Sequence, residues 1–463
     1  MLAICIAAAA GGAFEARSTA DNSISTDTTA VDSSPLVAAD VDQPPSTATS
    51  STPPPTVASP DIFSPSAGKV IDETTNLPLA GATVTLDGKE VVITDRRGSF
   101  PITPRIRKIA ARAPGYTRAE VLFTGESNDN HFVEVRLKPF HARALYLTVY
   151  GIGSKVIRHK ALSLIKEQDL NTLVIDIKGD RGFIPYPSDV PLAASIGAQK
   201  IKTVGDIKEL IKSLKDDGIY TIARIVVFKD NLLGTSRPDL AVKTTGGKVW
   251  LDREQLAWVD ASRKEVWDYN IQIAIEAAKN GFDEIQFDYV RFPDHNGLKF
   301  AVPNTEENRV ASITGFLQEA QKRLQPYNVF LAADIFGYVP WNYDDTQIGQ
   351  RIDKLVPIVD YISLMLYPSG FHLGIPGYQN SVANAYQIVY LTLKKAQDRT
   401  KLSALHFRPW LQSFRDYAFD RRQFTGVEIE EQIKAAEDFG SAGWMLWNPR
   451  NVYSPEGIRK KKG

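Results

Sequence analysis

The chain has 463 residues, and its 54 basic side chains balance its 54 acidic ones, so no charge excess points to nucleic acid. Its single cysteine, Cys5, excludes an internal disulfide framework, and no apolar run reaches the ~18 residues of a membrane-spanning helix. The length leaves room for two or three domains, and the closing Arg459-Lys460-Lys461-Lys462 run reads as a solvated tail.

Residues 1–13 are apolar and end in the small-residue run Ala-Ala-Gly-Gly-Ala, like the back half of a secretory signal, which makes 1–17 a candidate signal segment. The expected basic n-region is missing, so the start reads as truncated. Leu2-Ala3-Ile4-Cys5 loosely resembles a lipoprotein cleavage box, although Ile4 is larger than the usual residue there. The expected location is extracellular or the cell envelope, with a lipid anchor as an option. Residues 18–62 are Ser, Thr, Ala, Asp and Pro with almost no large apolar side chains. Nothing there can bury a core, and the segment reads as a disordered linker.

Residues 63–140 change texture to short alternating segments. Strands are expected at 68–71, 82–86, 91–94, 99–102, 106–112 and 132–137, with turns at Asp87-Gly88 and Arg97-Gly98. That pattern predicts a small antiparallel sandwich. Its segments Pro78-Leu79-Ala80-Gly81-Ala82-Thr83-Val84, Thr94-Asp95-Arg96-Arg97-Gly98-Ser99-Phe100 and Ala113-Pro114-Gly115-Tyr116 resemble the carboxypeptidase regulatory-like domain. The resemblance implies a transthyretin-like all-β sandwich without catalytic residues of its own.

Residues 141–463 alternate strands and helices. Strands are expected at 144–150, 173–178, 220–228, 284–289, 330–334, 361–366, 405–411 and 443–447, with amphipathic helices at 156–168, 204–217, 264–280, 306–324, 347–355, 383–399 and 428–439. Eight strands, each but the last followed by a helix, predict an α/β fold, a (β/α)8 TIM barrel. An open doubly wound sheet is the alternative, without a Gly-rich dinucleotide fingerprint to support it. The long segment 229–260 after the third strand reads as an insertion on the active-site face.

In such barrels chemistry sits at the C-terminal strand ends. Polar residues gather there: Asp176 and Lys178 on the second strand, Arg224 on the third, and Asp288 and Tyr289 on the fourth with Arg291 beyond. The fifth ends at Asp334 and the sixth at Tyr367. The seventh carries Arg408, Trp410 and Gln412, and the eighth ends at Trp447-Asn448. Any one of these could be a satisfied structural group; their convergence on one face points to a site. Carboxylates at adjacent strand ends, Asp288 and Asp334, suit hydrolysis of a glycosidic bond. Trp447, Trp410 and Trp341 are expected as sugar platforms, and Trp267 and Trp444 as core.

Other chemistries have less support. The six histidines are scattered and have no cysteine partners, which gives no zinc pattern. Neither a Gly-x-Ser-x-Gly elbow nor a Walker loop is present. Asp176, Asp288 and Asp334 could hold Mg²⁺ or Ca²⁺, which keeps a metal-dependent carbohydrate deacetylase as a lesser option.

Phe287-Asp288-Tyr289-Val290-Arg291-Phe292-Pro293 and Val174-Ile175-Asp176-Ile177-Lys178-Gly179-Asp180 resemble an uncharacterised family of barrel domains assigned as glycoside hydrolases. More distantly, Gly281 through Asp288 are similar to the Gly-Phe-Asp-x-Ile-x-x-Asp-x-Glu strand of family 18 chitinases. Met365-Leu366-Tyr367 and Trp447 match further positions of those enzymes. Val290 stands where they place the catalytic Glu, so their substrate-assisted mechanism does not transfer. Barrels of the α-amylase and α-galactosidase kinds place a nucleophilic Asp at the end of the fourth strand, and Asp288 fits that position.

These readings converge on a retaining glycoside hydrolase acting on a polysaccharide or oligosaccharide, with no cofactor. Asp288 is expected as nucleophile, partnered by the nearby Arg291, and Asp334 as acid/base. Asp176, Lys178, Arg224, Tyr289, Arg291, Tyr367, Trp410, Gln412, Trp447 and Asn448 are expected to bind substrate or orient the carboxylates. The alternative is a non-catalytic carbohydrate-binding or cell-envelope protein.

Overall fold

Residues 66–103, 105–123 and 132–461 are described by a computed structural model. The expected signal segment and linker lie outside the described residues.

Eight strands close into a barrel: Ala142–Leu147, Thr172–Lys178, Tyr220–Val226, Glu284–Asp288, Phe330–Phe336, Tyr361–Leu366, Trp410–Gln412 and Gly443–Trp447. They follow one another in chain order around the ring, and every neighbouring pair is parallel. The (β/α)8 expectation holds.

The strands read as nearly continuous apolar runs because both of their faces are covered. Period-two alternation sorts them: Leu173, Ile175 and Ile177 face the helices, while Val174 faces the barrel axis. The same parity sends Tyr146, Tyr220, Ile222, Phe330, Ala332 and Tyr361 inward and Leu145, Leu331, Ala333 and Ile362 outward. Parity alone therefore places Asp176, Arg224, Asp288 and Asp334 around the axis at the C-terminal mouth.

The helices follow the expected spans closely, at Lys155–Glu167, Ile207–Asp216, Lys264–Lys279, Glu306–Leu324, Ala385–Thr400 and Gly426–Phe439. Two elements depart from expectation. The helix expected at 347–355 is only Ile352–Leu355, because the chain turns through left-handed conformations at Thr346, Gln347 and Gly349 just before it. The seventh strand shrinks to Trp410–Gln412: Pro409 has no N–H for the ladder, and Ala404–His406 forms a 3₁₀ turn instead. After Trp447 the described residues contain no further helix.

The insertion after the third strand is ordered by pairing. Its Lys243–Thr244 runs antiparallel to Leu298–Lys299 from the loop after the fourth strand, so two loops of the active-site face brace each other.

Ahead of the barrel, seven strands form two sheets. The purely antiparallel expectation is corrected: Ala67–Asp72 pairs antiparallel with Ser99–Pro101 but parallel with Phe132–Leu137. The four-stranded sheet ends in Ala119–Leu122, which the sequence reading missed. This small domain docks on the N-terminal end of the barrel. Arg118 reaches the Phe282 carbonyl and Asp283 just before the fourth strand, Arg112 pairs with Asp360 just before the sixth, and the Gly115 N–H donates to the Tyr361 hydroxyl. The C-terminal mouth stays clear of it.

Candidate active site

Arg224 is the hub of the mouth. Its Nε donates to Asp288 Oδ2 at 3.1 Å, its Nη2 bonds the same oxygen, and its Nη1 meets Asp176 Oδ1 at 2.5 Å. Asp334 Oδ2 lies 3.8 Å from the same Nε. The two oxygens of Asp288 and Asp334 are therefore no more than about 7 Å apart; roughly 5–5.5 Å between carboxyl groups suits double displacement and roughly 6.5–9.5 Å leaves room for an attacking water. Both side chains face the same interior.

The two carboxylates differ in what surrounds them. Asp288 is met only by donors: Arg224 on one oxygen and the Tyr289 N–H on the other. Asp334 is held on Oδ1 by the Trp410 indole N–H at 2.8 Å, while its buried Oδ2 has no hydrogen-bond partner. Burial above all, and then the neighbouring charge of Asp288, push the Asp334 carboxyl well above the usual carboxylate range. Of the two, Asp334 is the carboxyl whose surroundings favour the protonated form.

Asp176 forms a third arm. The Tyr146 hydroxyl donates to its Oδ2 at 2.5 Å, completing a chain from Tyr146 through Asp176 and Arg224 to Asp288. Burial raises Asp176 to about 6 against the opposing pull of Arg224. Tyr146 also stacks on Trp447, centroids 4.0 Å apart, and the Arg224 guanidinium sits 4.7 Å from the Trp447 ring. Tyr146 was not among the expected residues, although its inward parity on the first strand matches that of Asp176 on the second.

Several expected residues stand elsewhere. Arg291 does not pair with Asp288; Arg224 does, and the Arg291 guanidinium lies over the rings of Trp258 at 4.9 Å and Tyr289 at 5.2 Å. Lys178 is fully buried and pairs with Asp230 at 2.7 Å, beside the Tyr269 ring of the Lys264–Lys279 helix. A register shift between the second and third strands explains this: Asp176 faces Arg224, but Lys178 rather than Ile177 faces Ile225, so the bulge turns Lys178 outward. Arg408 is at the opposite end of the axis, ion-paired with Glu284 and 3.8 Å from the Tyr361 ring.

Gln412 and Asn448 hold loops. Gln412 bonds the Ser369 hydroxyl, the Ser369 N–H and the Phe414 carbonyl, and Asn448 bonds the Ser413 carbonyl and the Arg450 N–H. Trp410 is buried, so it supports Asp334 rather than presenting an open face. Trp341 bonds Thr392 on the Ala385–Thr400 helix. Trp267 and Trp444 are core, as expected. Tyr367 and Trp447 remain half-buried on the axis side, with Tyr367 edge-on to Phe414 at 5.6 Å. Val290 is buried in the core and offers no acid at the chitinase position.

Among the described residues no three His, Cys, Asp or Glu side chains form a group that could hold a metal ion. Arg224 occupies the space where a cation bridging Asp176, Asp288 and Asp334 would sit. None of the described helices is long and apolar enough to cross a membrane.

A family model described as "Putative glycosyl hydrolase domain" matches residues 144–453. No curated protein matches the sequence. Among solved structures, a hypothetical protein from Ruminiclostridium thermocellum is 38% identical over 41% of this chain and 96% of its own, with a TM-score of 0.37. The PgaB (BpsB) glycoside hydrolase domain from Bordetella bronchiseptica is 13% identical over 70% of this chain and 100% of its own, with a TM-score of 0.46. A Group IV chitinase from Ostrinia furnacalis is 11% identical over 66% and 92%, with a TM-score of 0.40.

Proposed function

The chain belongs to the putative glycosyl hydrolase domain family, and on that premise we propose that its barrel cleaves glycosidic bonds in a polysaccharide or oligosaccharide by double displacement. The observation that carries the reading is the unequal treatment of Asp288 and Asp334 around one guanidinium. Asp288 attacks the anomeric carbon as the bond to the leaving oxygen breaks, and Asp334 gives that oxygen its proton. Asp334, now anionic, takes a proton from water. The hydroxide so formed attacks the anomeric carbon and releases Asp288. Arg224 lies close enough to Asp334 to offset the charge left there after the first transfer. The apolar, small-residue start and the Ser/Thr/Pro-rich segment that follows support an exported enzyme acting outside the cell.

The test is turnover by the purified full chain on a panel of polysaccharides and aryl glycosides, with product anomers followed by NMR. The first-formed product should keep the anomeric configuration of the substrate. Inversion would remove Asp288 as nucleophile, and no turnover on any member would remove the reading.

One observation favours a second reading, a non-catalytic carbohydrate-binding protein. Asp288 is 5% and Asp334 1% exposed, and Arg224 ties both, so the carboxylates are nearly closed off. Glycan binding that survives both Asp288→Asn and Asp334→Asn, without turnover of any bound glycan, would select it.

A further inference from the structure

Beyond the end of the fourth strand, the C-terminal face of the barrel carries a cation of a different kind. Arg291 follows the fourth strand by three residues, after the chain turns through a left-handed Tyr289 with φ of 49°. Its guanidinium is half-buried and lies over two rings, Trp258 from the insertion and Tyr289 from the strand end. Its Nη1 donates to the Phe292 carbonyl at 3.1 Å. Among the described residues no acceptor meets its Nε or Nη2, and no carboxylate forms a salt bridge with it.

The neighbouring cations are all committed. Arg224 is shared among three aspartates, and Lys229, which also stands over the Tyr289 ring, is held by Glu254 at 2.6 Å and Asp252 at 3.1 Å. Arg291 thus differs from them in having its position fixed by rings and its charge unanswered. A guanidinium seated over two rings that meet edge to face at 66° is restricted in where its fork of donors can point, which favours bidentate capture of a carboxylate or sulfate. Ring contacts fix the group without neutralising it. Trp250, half-buried and 5.3 Å from His295, extends the aromatic surface outward from Trp258.

We propose that Arg291, seated on Trp258 and Tyr289 between the insertion and the end of the fourth strand, is a specificity residue for an anionic sugar, a uronate or a sulfated residue, of the bound glycan. The proposal rests on the hydrolase reading for its substrate class and deepens it.

Binding is measured by calorimetry on full-length Asp288→Asn protein, so that no probe is consumed. The probes are glucuronate-, galacturonate- and mannuronate-containing oligosaccharides, their carboxyl-reduced forms, and a sulfated oligosaccharide of equal length. At least one acidic probe should bind about tenfold to a hundredfold more tightly than its neutral counterpart, as a charged hydrogen-bond pair implies. Arg291→Gln should erase that ratio, and Arg291→Lys should restore only part of it because the fork is lost. Near-ultraviolet circular dichroism checks that each variant is folded. If Arg291→Gln does not fold, the Arg291→Lys ratio decides: an unchanged ratio overturns the proposal. Equal binding of acidic and neutral probes, a ratio that survives Arg291→Gln, or no binding of any acidic probe also overturns it. Preference for acidic probes without cleavage of any by the wild-type chain would keep this proposal and remove the hydrolase reading. Cleavage of neutral glycans with no acidic preference would do the reverse.

Discussion

At the scale of single residues, the role of each carboxylate follows from its donors. In the proposed mechanism Asp334 carries the proton, because burial and the nearby Asp288 disfavour its charged form, and the Trp410 indole N–H pulls in the other direction. Asp334→Ala should therefore keep part of its rate on aryl glycosides with activated leaving groups, which need little protonation, while Asp288→Ala loses activity on every substrate. If the two variants behave the other way round, the roles are exchanged. Trp410→Phe keeps most of the ring but removes the donor that favours the anion. The basic limb of kcat/KM should then move to higher pH, and an unmoved or lowered limb would remove Asp334 as the acid. Stability gives an independent sign. A carboxyl raised in the folded state binds more protons folded than unfolded, so its cost is absent below the ordinary carboxylate value, about 4, and grows as pH rises toward its folded value. Asp334→Asn should accordingly raise Tm, with a gap that widens from pH 4 upward. A gap that narrows with rising pH contradicts the raised carboxyl.

Secondary-structure elements decide which side chains meet, and here the sequence was partly legible. Period-two alternation was enough to put Asp176, Asp288 and Asp334 on one interior, because each sits among apolar neighbours on a strand covered on both faces. The partner of Asp288 was not legible. Arg291 is near in sequence, but Arg224, 64 residues away, is near in space because the third and fourth strands pair with Arg224 level with Gln286. Nor could the bulge after Asp176 be read, since it leaves no residue signature in Ile177-Lys178. Its consequence is testable. Lys178 and Asp230 form a fully buried pair, and Asp230 also caps the helix Asn231–Ser236 through the Leu233 N–H. Lys178→Met leaves Asp230 buried without its cation and should cost about 3–5 kcal/mol in denaturant unfolding. The folded fraction should keep its kcat. A loss of kcat with unchanged stability would return Lys178 to the site.

Across the whole molecule, the two ends of the barrel are given different work. The C-terminal mouth holds the carboxylates, the half-buried Tyr367 and Trp447, and the braced insertion, while the N-terminal end is covered by the small β-domain. The interior between them is packed: Glu284, Arg408, Tyr220 and Tyr361 form a buried polar layer below Gln286 and Met445. The lower end of such a barrel serves stability, in contrast to the upper end, where the chemistry sits. Arg118 is the side chain that ties the domain most widely, bonding the carbonyls of Phe282, Tyr327 and Asn328 as well as Asp283. Its removal does not strand Asp283, which Lys215 and Thr221 also hold, so the loss is that of the hydrogen bonds alone. Arg118→Ala should therefore lower unfolding free energy by about 1–3 kcal/mol. Because that contact acts at the far end of a packed barrel, kcat and KM on any cleaved glycan should stay within about twofold of wild type, a difference below 0.5 kcal/mol by the usual logarithmic relation. A change in kcat with stability unaltered would mean that the β-domain is coupled to the carboxylates through the packed interior, and the division between the two ends would have to be given up.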